Sequence, residues 1–246
     1  MRVRRLAAAA IGTALALSVG LGATAAAAGE GDVCCPLEIF WHPYAGAYFA
    51  DAQRSLAARR TRARLDRAMA AATATWRAHG ICLQWTPGGT LSVPAGLKLF
   101  GPDDPTPASL EAQLPVGAGP AVVFVERLEA LDPQRKVYIR ARGATPRAGA
   151  PLAIVSLEDR AALKSTLENE LYHLLGLRDA ELGASDAEAR HVVQPAMWSF
   201  LQRACAVAGD RPALAALIAA KDRCVAAATG KDASGCYRGR DAGAGG

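Results

Sequence analysis

Apolar positions along the chain change period several times, and the changes outline its elements. Residues 37–42 (LEIFWH) read as a first strand. Residues 51–79 run without Pro or Gly, and Leu65, Met69, Ala72 and Trp76 recur at helical spacing. That spacing predicts a long helix with one buried face, stopped at Gly80. Residues 81–85 (ICLQW) form a short strand straight after it, and 86–120, rich in Pro and Gly, read as loops around a weak strand near Leu91. Residues 121–125 (AVVFV) read as a buried strand and 137–141 as another. A turn-rich piece, 143–151, leads into a strand at 152–157 (LAIVSL). Ser156 with Asp159 three residues on makes a capping-box pattern for a helix running to about Leu175. On that helix Leu163, Leu167, Leu171 and Leu174 share one stripe, expected to pack on the sheet. Two further helices are expected near 197–208 and 211–228, before a Gly-rich tail expected to be mobile. Strands and helices are interspersed with no internal repeat, which predicts an α/β or α+β domain with a mixed sheet.

The N-terminus changes this picture. Arg2, Arg4 and Arg5 precede an uncharged stretch, 6–28, rich in Ala, Leu and Gly, with Ala26 and Ala28 in the A-x-A arrangement of a cleavage site. Residues 1–28 therefore read as a secretory signal, leaving 29–246 as one mature domain. The rival, an uncleaved anchor, is disfavoured by the weakly hydrophobic Ala, Gly and Thr of the segment's second half. No other segment is apolar enough to span a bilayer, so a secreted or periplasmic location without stable membrane association is expected. Losing the three signal-segment arginines lowers the net charge from +5 to +2, too near neutral for a nucleic-acid binder. The run of arginines at 54, 59, 60, 62, 64 and 67 is most simply a solvated helix face. All six cysteines (34, 35, 82, 205, 224, 236) lie in the mature part, an even number that suits disulfides in an exported chain. Cys205–Cys224 is the expected pair on adjacent helices, with Cys34 or Cys35 reaching Cys82. No C-x-x-C spacing is present, which argues against a cysteine zinc site.

The candidate chemistry lies in 165–179, STLENELYHLLGLRD. Asn169 and His173 are four apart and stack on one helix face, with Glu170 beside them. Gly176 can take a left-handed conformation and turn the chain so that Asp179 approaches His173. An amide, an imidazole and two carboxylates thus converge. Taken singly, each residue has a plainer reading: a hydrogen-bonded histidine, an exposed helix glutamate, a loop acid, a helix-stopping glycine. The joint register, in an exported chain with four histidines, outweighs them.

This stretch resembles the metzincin signature H-E-x-x-H-x-x-G-x-x-H, or its snapalysin-like variant ending in Asp. Glu170, His173, Gly176 and Asp179 match in register, and Asn169 stands where the first histidine would be. Downstream, HVVQPAMW (191–198) resembles the Met-turn, with Met197 as its methionine. The resemblance is patterned over about 37–197 and is specific only in 169–179. It implies an α+β domain with a metzincin-like mixed twisted sheet, two long helices and a small, mostly helical C-terminal subdomain. The divisions would be an upper subdomain at about 37–176, a lower one at about 177–230 and a tail at 231–246. It further implies a zinc ion held by His173 and Asp179, with Glu170 as general base. An extended peptide or protein substrate would pair with the sheet's edge strand, near 137–141 or 145–151. Asn169 is a poor zinc ligand, so a retained metal needs a substitute, His191 or Glu170 itself, the latter at the cost of the base. Three functions follow: a zinc endopeptidase with an altered site, a pseudopeptidase that binds a peptide or protein in the old cleft, and a disulfide-stabilised scaffold with no use for the cleft.

Overall fold

A computed structural model describes residues 34–43, 56–89, 91–92, 96–99, 104–115, 119–132, 134–185, 190–228 and 233–239. The expected signal segment, 1–28, lies outside the described residues. In chain order the elements begin with β1 (Cys35–Pro43), α1 (Leu56–Arg77), β2 (Ile81–Pro87), β3 (Gly96–Leu99), α2 (Pro105–Glu111) and β4 (Ala121–Val125). They continue with β5 (Arg127–Asp132), β6 (Val137–Ala141), β7 (Gly143–Ala144), β8 (Leu152–Ser156) and α3 (Leu163–Leu174). β9 (Gly183–Ser185), β10 (Arg190–Val192), α4 (Pro195–Ala206), α5 (Arg211–Ala227) and α6 (Ser234–Tyr237) complete the chain.

Helices and mixed sheets together make an α+β fold, as the pattern predicted. The main sheet has five strands in the order β2-β1-β4-β8-β7. Its first four strands are mutually parallel, and β7 closes the edge antiparallel to β8. The parallel β1–β2 pair needs a crossover, which α1 supplies. β4 and β8 are buried at every position, and their unbroken apolar runs suit strands covered on both faces. Val122, Phe124, Ala153 and Val155 join one core with α1, α3 and α4, whereas Val123, Val125, Leu152 and Ile154 join a second core with Leu97, Leu110 and Leu128. Both predicted stripes, Leu65/Met69/Ala72/Trp76 and Leu163/Leu167/Leu171/Leu174, lie in the first core. Trp76 stacks on Tyr172 with ring centroids 5.2 Å apart, and Trp198 meets both rings edge-on, tying α1, α3 and α4 together.

Several sequence expectations are corrected. α2 lies in the stretch read as loops: Pro105 and Pro107 mark a helix start, where a missing N–H costs nothing, and the Asp104 side chain accepts from the Thr106 N–H at 2.7 Å. β3, β5 and β6 form a second, three-stranded sheet. α3 starts at Leu163, later than the Ser156 capping box implied. Ser156 ends β8, and the Asp159 carboxylate instead accepts from the Ala161 and Ala162 N–H groups. The disulfides are Cys34–Cys82, Cys35–Cys205 and Cys224–Cys236. The expected Cys205–Cys224 pair is therefore wrong: Cys205 lies buried against β1, and Cys224 pairs into the tail. That bond, with Tyr237 buried, holds 233–239 in place where a mobile tail was expected. No helix among the described residues is long and apolar enough to cross a membrane.

Candidate functional site

α3 ends in a tight, glycine-dependent turn. The Leu177 N–H donates to Tyr172 O at 3.0 Å and the Gly176 N–H to His173 O at 2.9 Å, the paired bonds of a Schellman motif. Gly176 has φ +99°, and a Cβ there would overlap Ile218 of α5, so both conformation and space call for glycine. The reversal carries Asp179 back over the helix, where its Oδ1 lies 3.0 Å from His173 Nε2.

His173 is almost wholly buried, and its Nδ1 lies 2.8 Å from Leu177 O. A carbonyl oxygen only accepts, so Nδ1 carries the proton and the neutral ring presents its lone pair at Nε2. Asn169 Nδ2 is 3.2 Å from that atom. Neutral His173 accepts from the Asn169 amide; the doubly protonated ring donates from Nε2 to Asp179. One nitrogen therefore has two alternative partners, selected by its proton.

Glu170 is 4% exposed. The Thr145 hydroxyl donates to its Oε2 at 2.6 Å, and the Asn169 amide reaches its Oε1 at 3.4 Å. Gly143 of β7 packs directly on the carboxylate, and a side chain there would displace it. Burial pushes the Glu170 carboxyl above the ordinary carboxylate range; the Thr145 hydroxyl, the His173 charge and the Asn169 amide oppose the rise, and Asp179 adds to it.

These groups floor a cleft of ≈ 360 Å³ between the 143–148 segment on one side and Leu177–Asp179 on the other, with Arg147 and Arg178 in its walls. The Gly149 N–H donates to His173 O at 2.8 Å, fastening that segment to the end of α3. The edge strand of the five-stranded sheet on the cleft side is β7, at 143–144, between the two stretches expected for it. Residues 145–150 are coil, and β6 is the edge of the second sheet.

Other sequence-predicted residues lie apart from this cluster. Met197 is a buried core side chain in the first turn of α4. The His191 backbone pairs with Ala184 in the β9–β10 hairpin, and its side chain lies outside the described residues. His42 is buried at the end of β1 with Nδ1 3.1 Å from Gly89 O, and burial lowers its pKa. His79, just past the end of α1, stacks on Trp198 at 3.8 Å, and burial lowers its pKa too.

A second polar cluster, unforeseen from the sequence, sits on the other side of the Gly176 turn. Lys221 Nζ donates to Gly176 O at 2.8 Å and to both Glu181 oxygens at 2.7 and 2.6 Å, and lies 3.2 Å from Asp222. The Tyr237 hydroxyl and the Arg178 N–H also donate to Glu181, at 3.0 and 2.7 Å. Leu214, Ile218 and Lys221 fall on one buried stripe of α5, a spacing that marks Lys221 as a buried cation. Thr145 and Gly143 carry no comparable signal.

Among the described residues, the donor set does not fit a tetrahedral zinc. His173 Nε2 and Asp179 Oδ1 face each other at 3.0 Å in the cleft. The Asn169 amide points its N–H group at the same imidazole nitrogen, and Glu170 is engaged with Thr145. Among the described residues no group of three His, Cys, Asp or Glu side chains is placed to hold a metal. Compared with known protein families, curated proteins and solved structures, the chain finds no match in any of the three.

Proposed function

We propose that the chain is an exported, metzincin-like pseudopeptidase: a peptidase-type cleft in which hydrogen bonds occupy the metal's place, kept for binding an extended peptide or protein segment. The observation that carries this reading is the Asn169 amide at 3.2 Å from His173 Nε2, the atom zinc would need. An amide N–H repels a cation where an imidazole would bind it. The short antiparallel edge β7 lies against Glu170, so a strand added there would pass over the cleft floor. Export is supported by the N-terminal signal pattern and by three disulfides.

The test compares zinc content in the disulfide-bonded 29–246 chain and its Asn169→His variant after equilibration with zinc and dialysis. The expected result is stoichiometric zinc in the variant alone, with peptides from a displayed library captured uncut by the native chain. Stoichiometric zinc in the native chain, with peptide cleavage abolished by Glu170→Gln, would establish the zinc endopeptidase instead. Loss of that zinc in His191→Ala would then identify His191 as the substitute ligand.

A further inference from the structure

Two arginines wall the cleft, and they are held differently. Arg178 pairs closely with Asp222 of α5. Arg147 is held loosely: its Nη1 lies 3.6 Å from Oε1 of Glu111, the last residue of α2, and its side chain is 65% exposed. At that distance the two charges attract without a hydrogen bond, and Glu111 Oε1 is buried with no other hydrogen-bond partner. Arg211, the first residue of α5, shares this carboxylate. Both of its terminal amino groups, Nη1 and Nη2, are closed off from solvent and make no hydrogen bond. Glu111 stabilises the Arg211 cation, and Arg147 opposes it. Two guanidiniums therefore depend on one carboxylate, and its buried oxygen is hydrogen-bonded to neither.

A buried guanidinium without a partner forfeits its hydration and gains nothing in return. Turning Glu111 wholly to Arg211 would relieve this, and Arg147 would then need another anion. The three side chains can exchange partners while their backbones stay fixed. The Ala150 N–H donates to Arg147 O at 3.0 Å, and Gly149, at φ +75°, packs on Ile218 of α5 where a Cβ would not fit. The Asp210 carboxylate accepts from the Ala213 N–H at 3.0 Å, which sets Arg211 in the first turn of α5. Of the three side chains, Arg147 lines the cleft.

From this arrangement we infer that Arg147 is the cleft's specificity residue for a carboxylate on the bound segment, and that Glu111 passes from Arg147 to Arg211 when that carboxylate docks. The inference rests on the peptide-binding reading of the cleft and adds the partner's chemistry to it. In the free chain Glu111 screens Arg147, and the Arg211 amino groups go without a partner. In the complex each guanidinium has its own carboxylate, Arg147 the ligand's and Arg211 that of Glu111. Arg211 touches no ligand; it is a positioning residue that draws Glu111 away. The docked carboxylate lies on the 143–148 wall, across the cleft from Asp179, whose charge repels it.

Three fluorescein-labelled decapeptides of alternating Val and Thr test this by anisotropy on the 29–246 chain. One has a central Glu and an amidated end, one a central Gln and an amidated end, and one a central Gln and a free C-terminal carboxylate. A carboxylate-bearing probe is expected to bind about tenfold more tightly than the neutral one, and which of the two does so tells an acidic side chain from a chain end. Arg147→Gln should erase that preference. Arg211→Met should cut it by about fivefold, because Glu111 then stays on Arg147. Glu111→Gln should raise it, and adding Arg211→Met to Glu111→Gln should change it no further, since the competitor is gone. Melting curves check that each variant is folded. An equal loss from Arg211→Met with and without Glu111 shows a distant charge and overturns the exchange. A preference that survives Arg147→Gln overturns the carboxylate site, as does equal binding of the three probes or no binding of any. The cleft reading is judged separately: library peptides captured equally by the native chain and Arg147→Gln leave the cleft standing without this site. A native chain that captures neither library peptides nor any probe ends both.

Discussion

Two polar clusters flank the Gly176 turn and differ in almost every physical respect. Behind the turn, Lys221 and Glu181 have side chains only 1% and 7% exposed, bonded to each other, to a backbone carbonyl and to Tyr237. In front of it, Glu170 is buried, but His173 Nε2 faces a cleft and its carboxylate partner Asp179 is 83% exposed. The first cluster satisfies its groups internally; the second leaves an imidazole nitrogen with two competing partners beside open space. Buried polar groups are tolerated when fully paired, and groups left adaptable at a cleft are available to a ligand. On the proposed reading, the rear cluster holds the turn and the front cluster binds.

The sharpest break of this contrast is Lys221→Ala. It strands the Glu181 carboxylate and the Gly176 carbonyl in the interior, and removing one partner of a buried ion pair costs about 3–5 kcal/mol. Urea unfolding should register that loss, and the Lys221→Met/Glu181→Leu double variant should recover much of it. A loss below about 1 kcal/mol, the range of exposed pairs, would mean that the rear cluster is no more structural than the front one.

Glu170→Gln sharpens the contrast through pH. The folded carboxyl titrates above its unfolded value because it is buried. Its contribution to stability is therefore fully present below the unfolded value and is lost as pH rises through the folded one, where ionisation charges a buried group. The groups facing it are the Thr145 hydroxyl, the Asn169 amide, His173 and Asp179. Melting curves of the native chain and the Glu170→Gln variant should coincide in acid and diverge as pH rises, with the variant the more stable. A native chain that gains on the variant with rising pH would mean that the carboxylate is favoured in its charged form, poised as a base.

The two clusters also differ in how far they could be read in the sequence. Asn169, Glu170, His173, Gly176 and Asp179 share one helix and its stop signal, so helical spacing alone brings them together. Thr145 and Gly143 complete the site from a strand that meets α3 only after the sheet has formed, and nothing local marks them. Lys221 and Glu181 lie 40 residues apart and meet through the packing of α5 on the turn. The stripe of Leu214, Ile218 and Lys221 was visible, its partner was not. The fold divides along the same line. β4 and β8 were plain because strands buried on both faces are apolar throughout, as was α1 because its 22 residues show several periods. α2 spans seven residues, too few for periodicity, and β5 (RLEALD) mixes charges into a strand of a small outer sheet. The disulfide partners of Cys205 and Cys224 were set by tertiary approach, which spacing does not reveal.

The smallest effect, and the finest test of the contrast, is Asp179→Asn. The carboxylate is mostly in water, so its pairing with His173 belongs with exposed ion pairs and its removal should change stability by about 0–1 kcal/mol. The imidazole should not respond in its tautomer, because Leu177 O holds the proton on Nδ1 whether or not Asp179 carries a charge. Nitrogen-15 shifts of the His173 ring in both chains, recorded where the ring is neutral, should therefore show Nδ1–H and an accepting Nε2. With Asp179 neutralised, the Asn169 amide becomes the main partner of that nitrogen, and the variant should bind zinc no better than the native chain. A switch to the Nε2–H tautomer in the variant would show that the exposed carboxylate, rather than the buried carbonyl, orders the ring. The front cluster would then be built from outside in, and the division between a holding cluster and a binding one would fail at its most exposed residue.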